Sequence, residues 1–146
     1  ISTIQAAILL EKLDIFPSEL RERQVVANNY YKHLNGLKLN IKLPVLKNNF
    51  ESSWAQYTII LPDNINRYKL QEELKSKNIP TAIYYPIPLN EHDPYKNYPV
   101  SNNGLANTIY LSQNVLSLPM HPYLTEDDII NISKNIHEAF KIIKNN

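Results

Sequence analysis

The 146-residue sequence has no cysteine and only two glycines, Gly36 and Gly104. Without cysteine there is no disulfide, no thiolate nucleophile and no cysteine-ligated zinc, and the composition fits a reducing compartment. Two glycines cannot write a GxGxxG or Walker-type loop, so a phosphate cradle of either kind is excluded. No stretch approaches the roughly 20 apolar residues of a membrane span. No basic segment stands ahead of the apolar start, as it would in a signal peptide. The formal charge is +1, from 15 basic and 14 acidic residues. No run of Lys and Arg supplies the basic field that nucleic-acid binding needs. Nucleic acid and membrane are therefore not expected partners, and the expected location is cytoplasmic.

What is present is an ordinary globular balance, with a hydrophobic share of 43%. A chain this long can bury a core, and one domain over 1–146 is the expectation. Ser2 and Gln5 have capping-box spacing, so a helix begins at about residue 3. Ile4, Ala6, Ala7, Ile8, Leu9 and Leu10 are apolar around most of its circumference, and such a helix wants burial on more than one side. Together with a start at Ile1 rather than Met, this reads as a fragment of a longer chain.

The first helix is expected to stop at 13, before Asp14-Ile-Phe-Pro17, with Pro17 in the first turn of a second helix. That helix carries Leu20, Ala27, Tyr30, Tyr31 and Leu34 inward and ends at Asn35-Gly36. A short strand is expected at 41–45, a polar loop at 47–53, and the best strand of the chain at 53–61. A helix over 67–77 buries Leu70 and Leu74 and ends at Asn78. A strand follows at 81–85, then an irregular stretch over 89–100, a helix over 105–111 and a strand over 115–118. Thr125 and Asp128 cap a last helix whose buried stripe is Ile129, Ile132, Ile136, Phe140 and Ile143. The natural packing is α+β: a short, mainly antiparallel sheet covered by helices.

The most informative stretch is Thr81-Ala-Ile-Tyr-Tyr-Pro-Ile-Pro-Leu89. Its alternation is that of a strand, and Pro86 and Pro88 end the pairing because proline has no N–H to give. Adjacent strand residues face opposite ways, so one of Tyr84 and Tyr85 can anchor in the core while the other offers a phenol to a ligand. The four histidines, His33, His92, His121 and His137, have no metal-site spacing. His33 and His137 fall on helices as surface residues, His121 reads as structural, and His92 lies in the irregular stretch where sites are often built. Glu126-Asp-Asp128 reads as complementing the helix dipole rather than as a metal site. Trp54 and Tyr57 read as sheet-face packing, with sugar stacking as the second reading. No GxSxG elbow, paired-acid motif or clear nucleophilic lysine is present.

Four tracts in register carry a family resemblance: Ser2-Thr-Ile-Gln-Ala-Ala-Ile-Leu-Leu-Glu-Lys-Leu, Trp54-Ala-Gln-Tyr-Thr-Ile, Ile79-Pro-Thr-Ala-Ile-Tyr-Tyr-Pro-Ile-Pro-Leu and Leu116-Ser-Leu-Pro-Met-His-Pro-Tyr-Leu-Thr. Across residues 1 to about 143 the chain resembles the C-terminal domain of the DegT/DnrJ/EryC1/StrS family of pyridoxal-phosphate-dependent sugar aminotransferases. The resemblance implies the small α+β domain of a fold-type I (aspartate aminotransferase-like) enzyme. The implied reaction moves an amino group, usually from glutamate, to a keto-sugar carried on a nucleotide. It also implies a homodimer, with pyridoxal 5'-phosphate and its Schiff-base lysine in an N-terminal domain absent from this sequence. No catalytic, cofactor-binding or metal residue is then expected here.

What the resemblance leaves to this chain is substrate contact. The family's His-Tyr-Pro is here Tyr84-Tyr85-Pro86, which makes Tyr84 and Tyr85 the implied substrate-binding residues. His92 and Tyr95 stand behind them, because Pro88-Leu-Asn-Glu-His92 departs from the family's Pro-Leu-His-x-Gln. A phenol in place of the histidine keeps one charge state through neutral pH, so no titrating role is expected at Tyr84. Ile15-Phe-Pro, Arg21-Glu-Arg-Gln24 and Trp54-Ala-Gln-Tyr57 most resemble the branch acting on UDP-linked 2-acetamido-3-keto sugars or uronates, which feed lipopolysaccharide, O-antigen and other bacterial surface glycans. The alternative is a non-catalytic binding or dimerisation module of the same fold.

Overall fold

The computed structural model describes residues 2–102 and 104–145. Helix α1 (Thr3–Asn35) leads to strand β1 (Tyr57–Ile60) and helix α2 (Arg67–Ser76). Two short 3-10 turns, Leu89–Glu91 and Asp93–Tyr95, precede helix α3 (Ala106–Asn114), which runs directly into strand β2 (Val115–Leu118). Helix α4 (Glu126–Asn145) closes the order. The fold is the expected small α+β domain.

The two strands pair antiparallel, with Tyr57 opposite Leu118 and Ile60 opposite Val115. Single-residue bridges extend the sheet on both sides, Lys42 to Ile60 and Ala82 to Ser117. Strand alternation gives the sheet two different faces. Tyr57, Ile59, Leu116 and Leu118 enter the core with Leu70, Ile129, Ile136 and Phe140. Thr58, Ile60, Val115 and Ser117 take the opposite face, where the Thr58 and Ser117 hydroxyls meet at 2.8 Å. Helix α4 packs against both α1 and α2, so the helical layer covers one side of the sheet. Within the core, Tyr57 stacks between Tyr30 (4.7 Å) and Trp54 (5.7 Å). Burial pushes the Tyr30 and Tyr57 phenols well above their ordinary range.

The expected break at residues 14–17 does not occur: α1 is one helix with Pro17 inside it. Proline removes one helical hydrogen bond. The carbonyl it orphans belongs to Leu13, which is exposed and open to water. The Ser18 hydroxyl donates to the Ile15 carbonyl at 2.6 Å in the same turn. The capping box at Ser2 and Gln5 forms as read, with bonds of 3.0 and 3.3 Å. Only the second half of α1 reaches the core, through Val26, Ala27, Tyr30 and Leu34. Tyr31, expected inward, is 48% exposed. Residues 2–18 are exposed throughout, including Ile4, Ile8, Leu10 and Leu13. At 1.5 Å per residue this is an arm of about 25 Å.

Three strand expectations shrink. The run at 53–61 pairs only over Tyr57–Ile60, because Trp54 has a left-handed backbone at φ 47°. Three contacts hold Trp54 there. Its indole N–H donates to Gln24 Oε1 at 2.8 Å, its carbonyl accepts from Arg23 at 3.0 Å, and its N–H reaches Ser52 Oγ at 3.1 Å. The runs at 41–45 and 81–85 each contribute one bridge. Lys38 and Asn40 have positive φ before the first, and Pro80 and Pro86 bracket the second. Asn78 caps α2 in the left-handed conformation, φ 58°, as read.

Two predictions concern α1 and α4. The isolated chain should self-associate at micromolar concentration through the apolar arm; Ile8→Asp with Leu13→Asp should shift it to monomer in analytical ultracentrifugation, and a wild-type monomer would refute this. At the start of α4, hydrogen bonds from the Thr125 hydroxyl and N–H hold the Asp128 carboxyl below its usual range, and bonds from Lys32 and His33 do the same for Glu126. Both depressed carboxyls stabilise the fold above the usual carboxylate range and lose that contribution as pH falls below about 4. The melting temperature should drop across that window, and Asp128→Asn should flatten the drop.

Candidate functional site

The chain leaving the Ala82 bridge runs beside Ser117 and Val115, on the sheet face opposite the core, and toward helix α3. Neither tyrosine anchors in the core, contrary to the expectation from alternation: Tyr84 is 46% exposed and Tyr85 72%. One bridged residue does not impose strand geometry on the two that follow it. The Tyr84–Tyr85 peptide is cis. The two rings meet edge to face, with centroids 5.7 Å apart. Among the described residues neither phenol has a hydrogen-bond partner, so both remain available to a ligand.

Three depressions follow this segment. The first, about 340 Å³, has Tyr84, Gln56, Thr81, Ser117 and Met120 in its wall. The second, also about 340 Å³, lies between Tyr84, Tyr85 and Pro88 on one side and Thr108, Ser112 and Val115 on the other. The third, about 420 Å³, is formed by the 89–101 stretch, with Tyr95 and Tyr98 tilted together at 6.0 Å. Tyr84 belongs to the first two, and Leu89 and Thr108 to the last two, so the three make one trough. None of its lining side chains is charged.

Of the residues singled out from sequence, Tyr84, Tyr85 and Tyr95 lie on this trough. His92 lines none of the three depressions; its backbone joins the two 3-10 turns, donating to Leu89 O and accepting from Tyr95 N. His121 is exposed beside Tyr123. His33 bonds Glu126 at 2.8 Å, and Lys32 reaches the same carboxylate at 2.8 Å, which ties α1 to α4. His137 is not the surface residue expected: it is half-buried, and its Nδ1 is enclosed without a partner. Trp54 and Tyr57 are packing residues, 7% and 1% exposed. Among the described residues no cluster of His, Asp and Glu could hold a metal, and no helix is long and apolar enough to cross a membrane.

Sequence reasoning passed over Arg67, which stands there only as the first residue of the 67–77 helix. It is 6% exposed. Its guanidinium donates to the carbonyls of Ser112 (2.5 Å) and Val115 (3.3 Å), at the junction of α3 and β2. Both acceptor residues line the Tyr85 depression. Arg67 therefore holds the floor of the trough through its backbone without lining the depression itself.

Comparison with known proteins places this geometry. The sequence pattern of the DegT/DnrJ/EryC1/StrS aminotransferase family matches residues 1–137. The chain belongs to that family. It is 41% identical over 128 residues to the UDP-2-acetamido-2-deoxy-3-oxo-D-glucuronate aminotransferase of Pseudomonas aeruginosa, covering 85% of this chain and 32% of that protein. It is 31% identical over 136 residues to the UDP-N-acetyl-3-dehydro-alpha-D-glucosamine 3-aminotransferase of Acidithiobacillus ferrooxidans, covering 93% and 35%. The crystal structure of a DegT DnrJ EryC1 StrS aminotransferase from Brucella abortus superposes with a TM-score of 0.85 at 40% identity, over 94% of this chain and 35% of that one. The chain thus spans about a third of the length of the relatives it matches.

The family depends on pyridoxal phosphate, but the described residues do not make a site for it. A Schiff-base lysine is activated by desolvation or a neighbouring cation, and every lysine here is exposed. The buried Arg67 is committed to backbone carbonyls. No catalytic step is assigned to this chain.

Arg67→Ala should destabilise the fold by about 2–4 kcal/mol, since buried carbonyls lose their donors. Arg67→Lys should recover only part of that, because one ammonium cannot reproduce the guanidinium fork. Thermal and denaturant unfolding measure both.

Proposed function

We propose that this chain is the small, substrate-side domain of a pyridoxal-phosphate-dependent aminotransferase that aminates the 3-keto group of a UDP-linked 2-acetamido sugar or uronate, using a donor such as glutamate. The observation that carries this reading is the 41% identity to an enzyme whose name specifies that substrate class. The second named relative also acts on a UDP-linked 3-dehydro sugar. Such products suit bacterial surface glycans, lipopolysaccharide among them. The cofactor and its lysine belong to a larger domain, and a homodimer is part of the proposal.

The trough supports a role in recognition. Tyr84 and Tyr85 present two unbonded phenols above an uncharged cavity, and a sugar offers hydroxyls and an acetamido group to meet them. Each phenol can donate and accept. Neither is enclosed enough to move a substrate proton without water competing. Their work is to orient the sugar, and the proton transfers fall to the cofactor domain. A second reading, a binding or dimerisation module without catalysis, is favoured by one feature: the trough carries no charged side chain of its own.

The deciding experiment incubates the full-length enzyme with a UDP-2-acetamido-3-keto sugar and glutamate and follows 2-oxoglutarate. Amination supports the proposal, and its absence with cofactor bound supports the module reading. In the active enzyme Tyr85→Phe should raise KM about 2- to 10-fold, the worth of one hydrogen bond, with an unchanged melting temperature. Parallel losses of affinity and stability would instead make Tyr85 a structural residue.

A further inference from the structure

The depression formed by the 89–101 stretch is not explained by sugar binding. Tyr95 and Tyr98 turn their rings toward one another there, and Leu89, Pro99 and Val100 complete an apolar wall. The tyrosines are 43% and 67% exposed. A half-buried amide, Asn90, enters the same wall, and among the described residues its side chain has no hydrogen-bond partner. Lys96, the neighbouring cation, is paired with Asp93 at 2.6 Å. The slot is therefore largely apolar and aromatic, with the Asn90 amide and the Ser101 and Thr108 hydroxyls as neutral polar groups and no charged side chain in its wall. Its volume of about 420 Å³ is that of a small-molecule site.

We propose that this slot holds the pyrimidine base of the nucleotide-linked substrate, an assignment that rests on the function proposed above. A flat, neutral ring suits aromatic faces, and stacking on them supplies affinity without needing charge. Uracil presents a carbonyl beside an N–H, and the Asn90 amide offers the complementary NH₂ and C=O. The slot meets the Tyr85 depression through Leu89 and Thr108. One extended ligand then spans both, with its sugar at Tyr84 and Tyr85 and its base at Tyr95 and Tyr98. The diphosphate crosses near Thr108, whose hydroxyl is a neutral donor. Its charge is met by groups outside this trough, whose walls hold no cation.

The test is calorimetric titration of the full-length enzyme with UDP, and with pyrophosphate as the ligand lacking a base. Tyr98→Ala should weaken UDP binding about tenfold or more. Tyr98→Phe should stay within about twofold, because it keeps the stacking face. Asn90→Ala should cost about 2- to 10-fold, and pyrophosphate binding should be the same in all. Four results overturn the assignment: wild type that does not bind UDP, UDP affinity unchanged in Tyr98→Ala, equal losses for pyrophosphate, or a changed oligomeric state that accounts for the loss. An enzyme that aminates the 3-keto sugar yet ignores Tyr98→Ala keeps its proposed function and loses the base site. One that binds UDP through Tyr98 but does not aminate keeps the site and loses the function.

Discussion

Strand β2 is four residues long, and both of its ends are held by side chains as well as by pairing with β1. At the start, the Arg67 guanidinium donates to the carbonyls of Ser112 and Val115. Just past the other end, the Tyr30 hydroxyl donates to the Pro119 carbonyl at 2.8 Å. A two-stranded ribbon is marginal by itself, so these buried donors matter more here than in a broad sheet. They also connect distant parts of the chain, since Tyr30 comes from α1 and Arg67 from α2. One face of β2 puts Leu116 and Leu118 into the core, and the other forms the floor of the trough with Val115 and Ser117. The same short element thus sets the packing and the position of the candidate site.

The aromatic residues divide along the same line. Tyr30, Tyr57 and Trp54 form a stack on the helical side, where burial suppresses ionisation and fixes them as packing groups. Tyr84, Tyr85, Tyr95 and Tyr98 lie on the open side in pairs, each exposed by two-fifths or more. Burying any of the second set would require partners for hydroxyls that have none among the described residues, at a cost of about 1–3 kcal/mol each. Their exposure is consistent with the recognition role proposed for the trough.

Much of this was readable from residue order. The caps at Ser2, Asn78 and Thr125, the buried stripe of the last helix and strand 115–118 all follow from local chemistry, and all are present. The failures have physical causes: one is local exposure, and the others are contacts made across the chain. Pro17 looks like a break because the sequence cannot show that the orphaned carbonyl faces water. Trp54 looks like a strand residue because its φ is set by Arg23, Gln24 and Ser52, two of them on another element. Arg67 passes unremarked because its acceptors lie 45 and 48 residues away. The signal that could have exposed Arg67 is weak: a helix start favours acids over cations, and this one opens on arginine. For the site, composition gave the tyrosines but not their common trough, which depends on where α3 packs.

The uncharged lining of that trough also bears on the division of work that the proposed function implies. A diphosphate is met by cations or helix N-termini, and among the described residues the buried Arg67 guanidinium is directed at two backbone carbonyls and the Tyr68 hydroxyl. A wall without charge can still discriminate, because a neutral donor left unpaired by the wrong sugar costs as much as one satisfied by the right sugar gains. Under the proposed function, a small domain of this kind would vary its substrate through tyrosines and amides while the electrostatic requirements of the chemistry are met elsewhere. The exposed apolar arm of α1 fits such a division: it projects about 25 Å beyond the core that folds the rest of the chain, and an apolar surface of that kind is satisfied by packing against further protein.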